Sequence, residues 1–412
     1  MDILVYADWI NLGGPLLMGT LSATHTKGRE VFSFAYDEDW LRNGEVQVLD
    51  PDLQFYAGPQ YLNTDKKNFG LFLDSSPDRW GRVLMVRRDA IQARLNNRKP
   101  KTLFEEDYLL GVFDEHRMGA LRFKTDPQGS FLNDNSAMAA PPWASIRELE
   151  FASLQLEKNV LKDEEALRWL TLLIAPGASL GGARPKASVT DAHGGLWIAK
   201  FPSVGDGFDV GGWEMVVNNL GKKAGLNIAD GDAKKFNSKN HSFLTKRFDR
   251  TKEKERIHFA SAMTLLGRTD GEPGASYLDL VAFIIQHGLN VDKDLEELWR
   301  RIIFNIAVKN SDDHLRNHGF MLQQGGWILS PAFDLNPVPY ATGLTLHISE
   351  TDNSLDYDLA RSVAKYFRIK KERGEIIIAQ VKQAVSGWRE AAGRLSIPNS
   401  ERDLMALAFE KE

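Results

Sequence analysis

Two short apolar runs, His318-Gly-Phe-Met-Leu-Gln323 and Trp327-Ile-Leu-Ser330, flank a Gln-Gly-Gly turn. Glycine takes the positive φ that a tight hairpin turn needs. A hairpin centred near Gln324 and Gly325 sets its own register, pairing residues whose numbers sum to about 649. Asn317 then falls opposite a residue near Ala332. Asn317 and Asp334, distant in sequence, are expected at the same open end, with Asp312 just before it.

That end gathers two carboxylates and one amide oxygen. Mg²⁺ prefers oxygen ligands and holds phosphates through only one or two carboxylates. The spacing Asp-x-x-x-x-Asn within Asn310-Ser-Asp-Asp-His-Leu-Arg-Asn317, followed by a later Asp, is that of a phosphoryl-transfer loop: Asp312 as base, Asn317 and Asp334 on metal. Asx residues beside hairpins are also common turn formers and caps. The hairpin, the third acid and the apolar helix Leu298 to Val308 favour the chemical reading. Asp313 is expected to be solvated. His314, taken alone, reads as a hydrogen-bonded structural residue; its place in the loop also makes it a candidate for the ATP site.

A phosphate-transfer site needs a triphosphate cradle. Ser179-Leu-Gly-Gly-Ala-Arg-Pro-Lys186 suits one. Gly181, Gly182 and Ala183 let backbone N–H groups approach phosphate oxygens, and Arg184 and Lys186 add charge. Gly-x-x-x-x-Gly-Lys-Ser/Thr is absent, so this is not a Walker A loop. Lys200 lies in the apolar strand Leu196-Trp-Ile-Ala-Lys-Phe-Pro202, where a cation needs an anionic partner or a route to water. ATP phosphates would serve as that partner. Glu214, at the start of the next helix, is either a partner for Lys200 or a first-turn acid. Lys246-Arg-Phe-Asp249 ends the following strand. There backbone groups would hold adenine, Phe248 would pack on the purine and Asp249 would reach ribose, or the segment is a solvated strand end.

The rest of the chain sets limits. With 412 residues it is long enough for two or three domains. It has no cysteine, which excludes disulfides, thiolate nucleophiles and cysteine zinc sites. A net charge of -5 argues against a surface built for nucleic acid. No apolar run reaches the roughly 18 residues of a membrane span, and the N-terminus lacks a signal-peptide pattern, so a soluble cytoplasmic protein is expected. Short strands, including Ile3–Ala7, Val31–Tyr36 and Ala120–Lys124, dominate the N-terminal part. Ser75 or Ser76, before Pro77, reads as a helix start. Thr125–Pro142 reads as a linker and Ser145–Leu173 as one helical stretch. Beyond Ile257 the chain is mostly helical.

The ordered set of 179–186, Ile-Ala-Lys (198–200), Lys-Arg-Phe-Asp-Arg (246–250), 310–317 and Ser-Pro-Ala-Phe-Asp (330–334) resembles the HipA family of toxin kinases. Phe34-Ala-Tyr-Asp-Glu-Asp-Trp-Leu41, Asp74-Ser-Ser-Pro-Asp-Arg-Trp-Gly81 and Met118-Gly-Ala-Leu-Arg-Phe123 are similar to its N-terminal subdomain. The resemblance covers nearly the whole chain. It implies an α+β, two-lobed kinase-like fold related to lipid kinases. A β-rich subdomain (1–140) would be followed by a nucleotide-binding part (141–250) and a helical lobe (251–412). It implies an ATP- and Mg²⁺-dependent Ser/Thr protein kinase, the toxin of a toxin–antitoxin pair. The partner would be a small helix-turn-helix, HipB-like antitoxin that contacts DNA, and one known target class is an aminoacyl-tRNA synthetase. Ser179 stands where the family carries an autophosphorylated serine that turns the kinase off. Asp334 is followed by Leu335-Asn336 rather than Phe-Gly, as in this family and unlike ordinary protein kinases. Two other readings stand beside this one: a small-molecule phosphotransferase, and a non-catalytic antitoxin-binding corepressor module.

Overall fold

In the computed structural model, side chains alternate along the N-terminal strands as a half-buried sheet requires. Ile3, Val5 and Ala7 are buried in the strand Asp2–Ala7, and Phe32, Phe34 and Tyr36 in Arg29–Tyr36. The structure describes residues 1–26, 28–43, 48–62, 66–158, 161–174 and 184–410. Ser179, Gly181, Gly182 and Ala183 lie outside the described residues. Contacts gather the chain into two units. One comprises Met1–Val204 and Asp249–Thr269, the other Gly205–Phe248 and Asp270–Glu412. Among the described residues no helix is long and apolar enough to cross a membrane.

The first unit is built on a five-stranded antiparallel sheet. Its order is Gln60–Tyr61, Arg29–Tyr36, Leu16–Thr26, Asp2–Ala7, Leu121–Lys124. The helix Arg79–Leu95 follows Pro77, but its cap is Asp78, whose carboxylate accepts the Gly81 N–H. Ser75 and Ser76, expected as the helix start, instead donate their buried hydroxyls to the carbonyls of Leu71 and Phe72. Residues 125–142, expected as a linker, pack into this unit. Leu132 bridges Phe123, Met138 is buried, and Pro142 bridges Thr190. The single helical stretch expected over 145–173 is two helices, Ile146–Lys158 and Asp163–Ile174. A hairpin of Lys186–Thr190 with Leu196–Lys200 sets Lys186 directly opposite Lys200.

In the second unit the helix Val210–Lys223 is capped by Asp209 and closed by Gly225 at φ +80°. It begins earlier than expected, so Glu214 lies past the first turn and is buried. Gly231–Lys234 and Ser242–Lys246 pair antiparallel. The helix Val291–Val308 buries Leu295, Leu298, Trp299, Ile302, Ile303 and Ile306, the spacing of one apolar face. Trp213, Trp388 and Phe409 form an aromatic cluster with the C-terminal helices, Trp388 and Phe409 stacking at 4.9 Å.

Candidate functional site

The hairpin Gly319–Gln323 with Gly326–Leu329 has the register its turn dictates, with Phe320 opposite Leu329 and Gln323 opposite Gly326. Gly325 stands at φ +90° and Gly326 at +156°, backbone that a side chain rarely tolerates. The helix Val291–Val308 anchors the hairpin. Buried Arg301 donates to the Ser330 carbonyl at 2.6 Å, and the Leu329 N–H donates to Asp294 at 3.0 Å. At its other end the helix is stopped by Lys309 in left-handed conformation, and the loop 310–317 turns back from there toward the hairpin.

Three groups of that loop matter. Asp312 is exposed, yet its carboxyl is raised above the ordinary range. The loop walls withdraw water from it, and Asp334 and Asp313 add negative charge, against the opposing pull of His314 and Arg316. Asn317 is 4% exposed. Its amide nitrogen donates to the Asp312 carbonyl at 2.8 Å, and its oxygen is buried with no hydrogen-bond partner. His314 is half-buried and its Nδ1 has no hydrogen-bond partner, against the expectation of a hydrogen-bonded structural histidine.

Asp313 is the clearest correction. Expected in solvent, it is 1% exposed and takes bonds from Tyr277, from Asn305 at 2.8 Å and from His318 at 3.0 Å. Burial alone would raise its carboxyl, but His318, with Tyr277 helping, outweighs burial and holds it below the ordinary range. A solvent-facing acid and a buried one stand at adjacent positions because the loop turns between them. Sequence reasoning also missed Asn310. Its amide bonds Asn305 at 3.1 Å and accepts the Asn336 N–H at 3.0 Å, so it joins this loop to the one carrying Asp334.

Asp334 is left-handed at φ +58°, an uncommon state for a non-glycine residue and one that recurs at functional sites. The segment before it is fixed by two backbone bonds, Ala332 N–H to Asn227 and Ala229 N–H to Ala332. The Asn336 amide nitrogen bonds the Asp334 carboxylate at 3.2 Å. Asp334 lines a small cavity with Glu214, Asn218, Phe243, Thr245 and Phe333. Phe248 packs against Phe333, ring centres 5.7 Å apart. The Lys246 side chain is exposed and its N–H is committed to the Asp230 carbonyl at 2.8 Å.

In the first unit, two expected ligand-binding residues are already committed. Lys186 is 3% exposed and pairs with buried Asp78 at 2.5 Å, so its charge is neutralised inside the fold rather than offered to phosphate. Asp249 is wholly buried, accepting the Gly119 N–H at 2.8 Å and the Arg250 guanidinium at 2.7 Å, which removes it from any ribose. Arg184 and Lys200 are half-buried.

The donors around Asp334 are carboxylate and amide oxygens without sulfur, a set suited to a hard cation such as Mg²⁺. The unfilled Asn317 oxygen is what a metal-binding amide needs before its ion arrives. Asp312, Asn317 and Asp334 are thus brought together, with the two acids close enough to act on each other.

Known proteins resemble this chain in sequence and in fold. A kinase-named protein of Haemophilus influenzae, called "Putative kinase", is 28% identical over 194 residues. The match covers 41% of this chain and 56% of that protein, so it spans little more than half of the relative's length. The solved HipA of the Shewanella oneidensis MR-1 toxin–antitoxin system, determined with HipB and operator DNA, superposes with a TM-score of 0.63 at 18% identity. That superposition covers 98% of this chain and 94% of HipA. The fold is therefore the expected mixed helix-and-sheet, two-lobed, kinase-like one. The family model of the HipA-like C-terminal domain matches residues 178–388, about half of the chain and the whole of the loop and hairpin just described. This chain belongs to the HipA-like family.

Proposed function

We propose that this chain transfers the γ-phosphoryl group of ATP to a serine or threonine hydroxyl of a protein, as the toxin of a toxin–antitoxin pair. The observation that carries the reading is the meeting of Asp312, Asn317 and Asp334 at one end of a hairpin, with the Asn317 oxygen buried and unfilled. The acceptor hydroxyl oxygen forms a bond to the γ-phosphorus. The bond to the β,γ-bridging oxygen breaks, and ADP leaves with the electron pair. Asp312 takes the hydroxyl proton, and its raised pKa makes it a better base than an ordinary aspartate. Asn317 and Asp334 would hold Mg²⁺, which when bound neutralises phosphate charge. Lys200 would hold the α- and β-phosphates, with Gly181, Gly182, Ala183 and Arg184 around them. Phe248 offers a ring to adenine, and His314 lies within reach of the charge around Asp312.

Family membership and the Shewanella neighbour, solved with HipB and operator DNA, support a HipB-like antitoxin as partner. The net charge of -5 suits DNA contact through that partner. Phosphorylating a target such as an aminoacyl-tRNA synthetase would slow translation and growth. Phosphate on Ser179 would place nearly two negative charges in the loop that receives ATP and so repel it.

The test is a cell lysate incubated with γ-labelled ATP and the purified chain. Wild type labels a protein band on serine or threonine, and Asp312→Asn loses roughly 10²- to 10⁴-fold of that labelling while keeping its fold. Undiminished labelling by the variant removes Asp312 as the base. Label found only on small molecules favours a phosphotransferase of another kind.

A further inference from the structure

Asn336 plays no part in the reaction as described, yet its side chain is arranged like that of Asn317. Its backbone N–H is held by the Asn310 amide oxygen at 3.0 Å, and its amide nitrogen donates to Asp334 at 3.2 Å. That bond fixes which end of the amide is which. The nitrogen must face the carboxylate, because an amide oxygen there would set two acceptors against each other. The oxygen is then the outer end, and it is buried with no hydrogen-bond partner. Asn317 repeats the pattern, with its nitrogen on the Asp312 carbonyl at 2.8 Å and its oxygen buried and unmet. Two amides on two loops thus spend their nitrogens in holding those loops and leave their oxygens unfilled. One is bonded to Asp312 and the other to Asp334, and these two acids act on each other.

An unmet buried acceptor beside a pair of acids is suited to a positive charge rather than to another acceptor. A neutral amide oxygen also adds a ligand without adding repulsion between Asp312 and Asp334. We propose that Asn336 supplies an oxygen ligand to the divalent cation held by Asp334 and Asn317. This rests on the metal part of the proposed function. Asn310, in turn, is a positioning residue, joined through Asn305 to buried Asp313, so that both loops are held before the ion binds.

The test uses Mn²⁺ as the probe, counting free ion by electron paramagnetic resonance with the full chain, first alone and then with ADP. Wild type is expected to bind Mn²⁺. Asn336→Ala should weaken binding roughly tenfold or more. Asn336→Asp cannot donate to Asp334 but keeps an oxygen at the same place, so it should bind at least as well as wild type. Circular dichroism checks folding, and Asn336→Gly is the second truncation should the alanine variant not fold. If wild type binds no Mn²⁺ with or without ADP, the metal reading fails, and this proposal with it. If wild type binds and the truncations bind equally, only the Asn336 assignment is overturned. If the aspartate variant is as weak as the truncations, Asn336 merely props Asp334 and is no ligand.

Discussion

Two clusters, one in each unit, treat their polar groups in opposite ways. In the first, Lys186 closes on Asp78 and Asp249 closes on Gly119 and Arg250. In the second, the loops around Asp334 leave two amide oxygens open and one acid exposed. The difference separates charge that holds a fold from charge that is offered to a ligand. A buried ion pair with its partners in place gains nothing from a phosphate, since binding one would first have to break the pair. An unmet buried acceptor carries a standing cost that a ligand relieves. Asp313 shows that the second unit uses both modes within two residues. Asp313 is closed by three partners, and Asp312, its neighbour, is open.

The largest effects are expected from breaking the closed sites. Lys186→Ala strands Asp78 in the interior and should cost about 3–5 kcal/mol of stability. The double change Lys186→Met, Asp78→Leu should recover part of that loss, short of the cap that Asp78 gives the helix Arg79–Leu95. Urea denaturation reads both. If Lys186→Ala instead leaves stability untouched and raises the KM for ATP, the lysine belongs with the open sites and the contrast between the two clusters fails. Asp313→Ala should cost a similar amount, whereas Asp312→Asn should stay within about 0.5 kcal/mol of wild type, as an exposed position does.

A somewhat smaller effect sits at Asp74 in the first unit. Its carboxylate accepts the Ser261 N–H at 2.6 Å and the Ser261 hydroxyl at 2.8 Å, yet burial pushes its pKa up to about 6 from 3.8. Between those values the folded state keeps a proton that the unfolded chain releases, so stability falls as pH rises from about 4 to about 6. The whole loss is at most about 3 kcal/mol, because each tenfold change in proton affinity is worth about 1.4 kcal/mol. Asp74→Asn should flatten that slope in denaturation measured from pH 4 to 7. A slope unchanged in the variant assigns the proton to another group.

How much of this was legible follows from where each signal lives. The hairpin register was readable because its glycine turn is a local code, and Phe320 opposite Leu329 bears it out. The pairing of Lys186 with Asp78 was not, because residue type tells nothing of a partner 108 positions away. The same holds for Asp313, whose burial depends on Tyr277, 36 residues earlier. The helix start at Asp78 was misplaced onto Ser75 or Ser76. Both are good capping types, but their hydroxyls bond back to the preceding turn. The acidic first turn Asp163-Glu164-Glu165 did carry the signal that splits residues 145–173 into two helices. Asn336 was visible beside Asp334, in the place where ordinary kinases carry Gly, but its residue type alone gave it no role. Only its bond to Asp334, in left-handed backbone, gives it away.

The smallest expected effect tests whether Asp312 is open in the sense argued. Arg316 pairs with exposed Asp270 at 2.6 Å and lowers the Asp312 pKa, while Asp334 raises it. A base works only when deprotonated, so the acid limb of the pH profile of kcat/KM reports this pKa. Arg316→Gln removes the opposing positive charge and should move that limb to higher pH. Asp270→Asn loosens the arginine without removing it and should move the limb less. Solvent screens such pairs, so the movement should be a few tenths of a pH unit and should shrink in 1 M salt. A closed carboxylate like Asp313 would show neither the movement nor its salt dependence. A limb that stays in place in Arg316→Gln at low salt would mean that it reports a group remote from Arg316, and Asp312 would lose its place as the base.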